Sequence, residues 1–507
     1  MQFSMEQKVF PRPLHSIDKG GSHFVVDPAR PNWAAINDAG AVLLRDLTSP
    51  TSVGELVQNY QTAHRPDEPS KAQEEVFGFL EAAIDAQLLS LESVEEHPYE
   101  GRSKVLTPTR LEEFWVQIND FCNLTCAHCL VSSSPEGGRG LPAETVRNVV
   151  QQALDLGAEL FGITGGEAFF REDLFDLCEL ILSEPSRQVT TLTNGTRLSG
   201  KTLEKLKQVA NKRLELRISL DGPTPEVNDP IRGNGSFKAA IRGIRNALET
   251  DCSVTVTMAV NGANARYADQ MPKLLKELGI KRLHVLWPFQ RGRAIEEGQD
   301  ENLTPSVQQL IEGYRKIRVA AKEEGITFFT YDTWKKRIDG PPGLKYDMAN
   351  HCWSSLCLYT DGNVFPSPAL TQHPELSLGN IGTSSLRDLW LDSDVARRFR
   401  GATVIDRPQC QDCHYRFMCG GGDIDHVYNT SRMGHDEHGD LYADDPYCDL
   451  YKEILADAMF DLSKASEQKR TGNGAPPKLL RRMGHRPNRP PQQLTPGELT
   501  LATVPST

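Results

Sequence analysis

Residues 114–130 read FWVQINDFCNLTCAHCL, and they decide the fold. FWVQIN has the apolar and aromatic composition of a strand. It is followed at once by Cys122, Cys126 and Cys129, three cysteines within eight residues. Three thiolates this close can hold three irons of a cubane cluster and leave the fourth iron without a protein ligand, which makes it a binding position. A zinc site would need a fourth ligand. His128 is available, but adjacent residues such as His128 and Cys129 rarely both reach one tetrahedral ion.

Downstream of this strand the chain alternates strand and helix to about residue 290. Strand candidates are ELFGIT, VTTLTN, LELRISL, VTVTMAV and RLHVLW, with amphipathic helices between them. One helix follows Pro142, where Val146, Val149, Val150 and Ala153 form a single apolar stripe. Repeated strand–helix units predict an α/β fold built on a parallel sheet. Six of them predict a partial (β/α)6 barrel over residues 112–300, with function carried on loops at the strand C-termini.

The whole chain has 507 residues, which predicts two or three domains. Its net charge of −12 argues against nucleic acid or an anionic membrane as the main partner. No apolar run approaches the length of a membrane span, and the N-terminus has no apolar signal region, so a cytoplasmic location is expected. Of 11 cysteines, all but Cys178 and Cys252 fall in residues 122–129 and 352–448. Such clustering in a reducing compartment predicts metal or redox chemistry. Cys178 and Cys252 lie in apolar stretches and read as core thiols.

The C-x3-C-x2-C loop on the first strand resembles that of the radical S-adenosylmethionine (SAM) superfamily, and four further elements extend the likeness. The second strand ends in Gly165-Gly166-Glu167, the third in Thr193-Asn194-Gly195, and the fourth in Ser219-Leu220-Asp221-Gly222, followed by Asn228 and Arg232. The resemblance implies a [4Fe-4S] cluster on Cys122, Cys126 and Cys129 whose open iron is chelated by SAM. One-electron reduction then yields a 5'-deoxyadenosyl radical that abstracts a substrate hydrogen. It further implies that Gly165, Gly166 and Glu167 meet the SAM amino group, the glycines by close backbone approach and the carboxylate by charge. Thr193, Asn194, Ser219, Asp221 and Arg232 are implied as ribose and carboxylate contacts, and His128 as the ring beside adenine. An electron donor such as flavodoxin or ferredoxin is the implied redox partner. Read alone, TNG and LDG are also ordinary turn signals.

The second cysteine zone holds Cys352 and Cys357, then Cys410, Cys413 and Cys419 in CQDCHYRFMCGGGD, then Cys448. Four thiolates suffice for one cluster or for zinc. The zone resembles the SPASM domain, an extension of many radical SAM enzymes that typically carries two auxiliary clusters. The likeness implies a complete auxiliary cluster II on Cys410, Cys413, Cys419 and Cys448. Auxiliary cluster I is incomplete, because Ser367 and Asp423 stand where the pattern has cysteine. Only Cys352 and Cys357 remain as thiolates, with Asp423 and Ser367 as candidate oxygen ligands, so a [2Fe-2S] centre, an open site or no cluster all stay open. Asp423 also reads as a proton acceptor, with Tyr359 and Asp361 as neighbours of the region. His426, His435 and His438 read as a polar surface loop in preference to a separate metal site.

Residues 1–95 read as strands, HFVVDP and WAAIN, followed by three helices, GAVLLRDL, TSVGELVQNY and AQEEVFGFLEAAIDAQLL. They resemble the RiPP recognition element, a winged-helix-like domain related to PqqD that binds the leader of a precursor peptide. A leader could add as a strand at a sheet edge, holding the reacting segment near SAM at high effective concentration. The remaining expected boundaries are a linker at 96–111, a helical bridge at 301–345, the SPASM-like domain at 346–463, and a disordered Pro/Arg-rich tail at 464–507. The leading functional expectation is a peptide maturase forming a thioether or carbon–carbon crosslink. The alternatives are radical modification of a non-peptide cofactor precursor such as a tetrapyrrole, and a non-catalytic peptide chaperone or electron carrier.

Overall fold

The computed structural model describes residues 3–93, 98–296, 303–339, 346–432 and 439–471. His435, His438 and the tail from 472 lie outside the described residues.

The N-terminal unit begins with β1 (Lys8–Pro11), β2 (His15–Lys19), β3 (Ser22–Asp27) and β4 (Asn32–Ile36). There follow α1 (Asp38–Asp46), β5 (Thr51–Ser52), α2 (Val53–His64), α3 (Pro69–Asp85) and β6 (Leu89–Ser90). Strands then three helices were legible in the sequence; β1 and β2 are additional. β2, β3 and β4 form an antiparallel meander, while β1 pairs with β5 and β6. Alternation along β3 and β4 divides the meander between two cores. Val25, Ala34 and Ile36 pack with the three helices, whereas Phe24, Val26, Trp33 and Ala35 join the core of the rest of the molecule. Lys19 also pairs with Asp457 at 2.7 Å, and the rings of His15 and His414 stack at 3.3 Å.

The central unit carries the expected six strand–helix repeats. They are β7 (Glu113–Gln117), α4 (Ala143–Asp155), β8 (Leu160–Thr164), α5 (Leu174–Leu182), β9 (Gln188–Thr193), α6 (Gly200–Val209) and β10 (Leu214–Ser219). After them come α7 (Pro225–Arg232), α8 (Ser236–Leu248), β11 (Ser253–Ala259), α9 (Gln270–Leu278) and β12 (Arg282–Leu286). After α10 (Arg293–Glu296), the expected helical bridge holds α11 (Val307–Glu324), β13 (Thr327–Phe328) and α12 (Phe329–Asp339). Its short strand pairs parallel with β12, so the bridge extends the sheet.

The cysteine-rich unit contains β14 (Ser355–Leu358), β15 (Asn363–Phe365), β16 (Gly379–Asn380), α13 (Leu386–Asp392), α14 (Asp394–Gly401), α15 (Arg416–Cys419), α16 (Ile424–Ser431) and α17 (Cys448–Thr471). Here β14 pairs parallel with β7, in register from Ser355↔Glu113 to Leu358↔Val116. One sheet therefore runs β13-β12-β11-β10-β9-β8-β7-β14-β15-β16 through both units. It is an open barrel whose ends do not pair with each other among the described residues. The last helix reaches Thr471, beyond the boundary expected at 463.

Candidate functional site

All the polar strand ends singled out in the sequence fall at the C-terminal edge of the parallel sheet, around the loop that carries Cys122, Cys126 and Cys129. The loop is pinned on three sides. Cys122 N–H donates to the Ser134 carbonyl at 2.9 Å, and Ala127 N–H to the Ile231 carbonyl at 2.9 Å. Arg293 Nε donates to the Cys126 carbonyl at 2.9 Å. The Cys126 thiol lies 3.8 Å from the Arg232 carbonyl, and Asn194 Nδ2 lies 3.7 Å from Cys122 Sγ. Burial pushes the Cys122 thiol up to about 12 and raises Cys126, with the Arg232 charge opposing it. Thiolates form in such surroundings when a cationic centre shares their charge.

Gly165 and Gly166 are required by close backbone approach. A Cβ on Gly165 would lie 2.5 Å from the Asn119 carbonyl oxygen, and one on Gly166 only 2.3 Å from that of Phe121. Glu167 is held by donors from its own strand end and the next. Its carboxylate is fully buried and accepts from Thr193 Oγ1 at 2.7 Å, Asn194 N–H at 2.8 Å and Phe169 N–H at 3.2 Å. It ties the end of β8 to that of β9 and so places Asn194 beside Cys122.

His128, Asp221 and Arg232 form one charged group. Asp221 Oδ2 meets Arg232 Nε at 2.5 Å and His128 Nε2 at 3.2 Å, while Oδ1 accepts from Ala259 N–H at 2.8 Å. Asn228, named from the sequence, fixes the turn by accepting from Asp221 N–H at 2.9 Å. Burial lowers the His128 ring to about 4 against the pull of Asp221, so the imidazole is neutral at ordinary pH. Ser219 closes β10 and is partly exposed at the site.

Sequence reasoning missed the residues supplied by the sixth strand end and by the cysteine-rich unit. Arg291 and Arg293 follow β12 in the segment QRGR. Gly292 between them has φ +59° and packs so closely that a Cβ would lie 2.3 Å from the Cys129 carbonyl oxygen. Arg291 reaches the carbonyls of Ala369 and Thr371, and burial lowers its guanidinium to about 10. On the other side of the loop, Asp120 accepts from Thr360 Oγ1 at 2.6 Å and Tyr359 Oη at 3.3 Å, and Tyr359 accepts from Gln372 at 2.6 Å. A pair of arginines at a strand C-terminus was the available signal. The Asp120–Tyr359 contact spans 239 residues and left none.

The second zone divides. Cys410, Cys413, Cys419 and Cys448 line one cavity with Asp445, Tyr451 and Lys452. Burial pushes Cys410 and Cys448 each up to about 11, and the charges of neighbouring cysteines push the same way. Gly422, at φ +74°, brings the backbone so near Asp445 that a Cβ would lie 2.2 Å from its carboxylate. Four thiols lining one cavity match the four-thiolate ligand set of a cluster. Cys352 and Cys357 do not line this cavity. Cys352 has φ +59° and packs in the hydrophobic core, with Arg400 as its charged neighbour. Cys357, on β14, has Asp425 as its charged neighbour.

The candidate oxygen ligands are likewise engaged. Ser367 Oγ donates to Asp425 Oδ1 at 2.8 Å, and His351 Nε2 meets the same oxygen at 2.9 Å. Asp423 caps α16 by accepting from Asp425 N–H at 2.9 Å, and its carboxyl is raised by burial. Asp361 instead turns outward to Asn363. His426 is buried against Phe289 and Tyr447 and is not a surface residue as its segment suggested. Among the described residues no three His, Cys, Asp or Glu side chains gather at the spacing of a single metal ion. Cys178 and Cys252 are buried in the central core as expected, and no described helix is long and apolar enough to cross a membrane.

Comparison with known proteins agrees with this geometry. Residues 116–275 match the radical SAM superfamily, and residues 351–414 match SPASM, an iron-sulfur cluster-binding domain. The AdoMet-dependent heme synthase of Methanosarcina barkeri is 26% identical over 353 residues, covering 64% of this chain and 93% of the relative. The mycofactocin maturase MftC of Mycolicibacterium smegmatis is 28% identical over 310 residues, covering 59% of this chain and 75% of the relative. The crystal structure of Streptococcus suis SuiB bound to precursor peptide SuiA shares the fold. It aligns with 87% of this chain and 98% of its own at a TM-score of 0.52 and 12% identity. The chain thus carries a radical SAM domain and a SPASM domain, and it is a radical SAM enzyme.

Proposed function

We propose that this radical SAM enzyme, with its SPASM domain, is a maturase acting on a ribosomally made precursor peptide or protein. The observation that carries the reading is the N-terminal unit, a three-stranded meander with three helices joined to the catalytic body through one face of its sheet. A radical SAM core acting on a free small molecule has no need of a separate recognition unit. An edge of the meander could take an extended leader as an added strand. MftC is a maturase and SuiB was crystallised with a precursor peptide, which supports the reading by analogy.

In this proposal Cys122, Cys126 and Cys129 hold the [4Fe-4S] cluster. Bound together, the cluster and SAM supply a 5'-deoxyadenosyl radical. Gly165 and Gly166 keep backbone close to the SAM amino group, Asp221 and Arg232 order the cysteine loop, and neutral His128 offers a ring face to adenine. Thr193, Asn194 and Ser219 provide polar contacts beside it. Hydrogen abstraction from the peptide, followed by loss of a second electron and a proton, would close a thioether or carbon–carbon crosslink. Cys410, Cys413, Cys419 and Cys448 would hold the cluster that receives that electron, with flavodoxin or ferredoxin as external partner.

The test is anaerobic incubation of the reconstituted protein with SAM, reductant and the short peptide encoded nearest its gene. A product lighter by a pair of hydrogens supports the proposal; unchanged peptide mass together with 5'-deoxyadenosine release overturns it. The heme synthase similarity favours a second reading, radical modification of a tetrapyrrole. Failure of the protein to bind the peptide, with turnover of an iron porphyrin, would establish that alternative.

A further inference from the structure

We infer that this SPASM domain holds a single iron-sulfur cluster, and that the place of the second is filled by a protein hydrogen-bond group, Ser367–Asp425–His351. The inference rests on the iron-sulfur reading of the domain but not on the peptide substrate.

Two observations carry it. The first is the contrast between cysteine sets. The four thiols of the set at 410–448 line one cavity. Cys352 and Cys357 do not. The thiol of Cys352 sits among apolar side chains, and the Cys352 carbonyl is held by Trp390 Nε1 at 2.9 Å and Arg400 at 3.2 Å. The thiol of Cys357 is directed to the Leu358 carbonyl at 3.6 Å, along its own strand. A cubane needs four ligands around one centre, and here two thiols point into different surroundings.

The second observation concerns the oxygens. Ser367 and Asp423 would have to supply the missing ligands, but Ser367 is fully buried with its hydroxyl given to Asp425 at 2.8 Å. Asp423 is committed to capping α16. Recruiting either would leave a buried donor or acceptor unpaired. Asp425 has a separate use for its charge: it is an anionic neighbour of buried Arg291, whose guanidinium lies between the auxiliary unit and the Cys129 loop. The polar group therefore replaces a cluster structurally and joins the two units.

Iron and sulfide analysis of the full chain, saturated by anaerobic reconstitution, tests this. The expected count is about eight irons per chain, all in [4Fe-4S] form by Mössbauer spectroscopy. A count of about ten or more, or a [2Fe-2S] signal, would overturn the inference. Cys357→Ser provides the second arm. The folded variant should keep the wild-type iron count and spectrum, whereas Cys413→Ala should lower the count by about four. Loss of iron from folded Cys357→Ser would overturn the inference. The count needs no peptide, so absence of peptide turnover would sink the proposed function and leave this result standing.

Discussion

Asp221 and Arg232 meet at 2.5 Å in a setting where their side chains are 0% and 11% exposed. The carbonyl of the same arginine lies against the Cys126 thiol, so the pair couples the fourth strand end to the cysteine loop. Asp221→Ala leaves a buried guanidinium without its counter-charge. The expected cost is about 3–5 kcal/mol, read as a lower midpoint in chemical denaturation, with loss of 5'-deoxyadenosine formation. An unchanged midpoint would show that Arg232 finds another partner.

Glu167→Gln should act on stability first. The carboxylate accepts three hydrogen bonds, and an amide turns one acceptor into a donor facing the Asn194 N–H or the Thr193 hydroxyl. The expected loss is about 1–3 kcal/mol. SAM affinity measured by calorimetry should change little, because the carboxylate is already held by three protein donors. A large loss of affinity with stability unchanged would establish the direct contact expected from the sequence.

Gly166→Ala should prevent assembly at the first cysteine loop. Its Cβ would lie 2.3 Å from the Phe121 carbonyl oxygen, and that backbone leads directly into Cys122. The variant should bind about four irons fewer than wild type, with the cysteines at 410–448 still loaded. Full loading would mean that the two strand ends can separate at little cost.

His373 predicts a pH dependence. Burial, with Arg291 nearby, lowers its ring to about 4, so it folds neutral while the unfolded chain takes up a proton near its ordinary value. The unfolded state binds more protons in between, so this contribution is present above about 6.5 and is lost as pH falls toward about 4. Chemical denaturation of wild type and His373→Gln at neutral and mildly acid pH should give a flatter slope for the variant. Parallel slopes would refute the assignment.

Much of this was legible because local pattern and chemistry coincide. The six strands were visible in runs such as LELRISL, since strands flanked by helices are apolar on the helix-facing side, and each ended in a polar turn. Cys410, Cys413 and Cys419 are close in sequence, so their shared cavity followed from spacing, and Cys448 joined them through resemblance. The protein partners of Glu167 were not legible because a motif names the residue but not which way its carboxylate turns; the Thr193 and Asn194 donors come from another strand. Asp425 and His351 were invisible for a similar reason. They are 74 residues apart, and a buried hydrogen bond between distant segments has no periodicity. The SPASM resemblance gave Cys352 and Cys357 as the thiolates of one site, but it could not show that φ +59° at Cys352 turns the chain before β14 begins.

The pairing of β14 with β7 has a further consequence for folding and for dissecting the protein. The strand that presents Cys122 is flanked by β8 on one side and, on the other, by a strand about 240 residues away. That long-range closure should form late and slowly. A chain cut after residue 345 would bare the β7 edge, a template for pairing with other chains. The excised catalytic half should self-associate in size-exclusion chromatography under conditions where the whole protein does not.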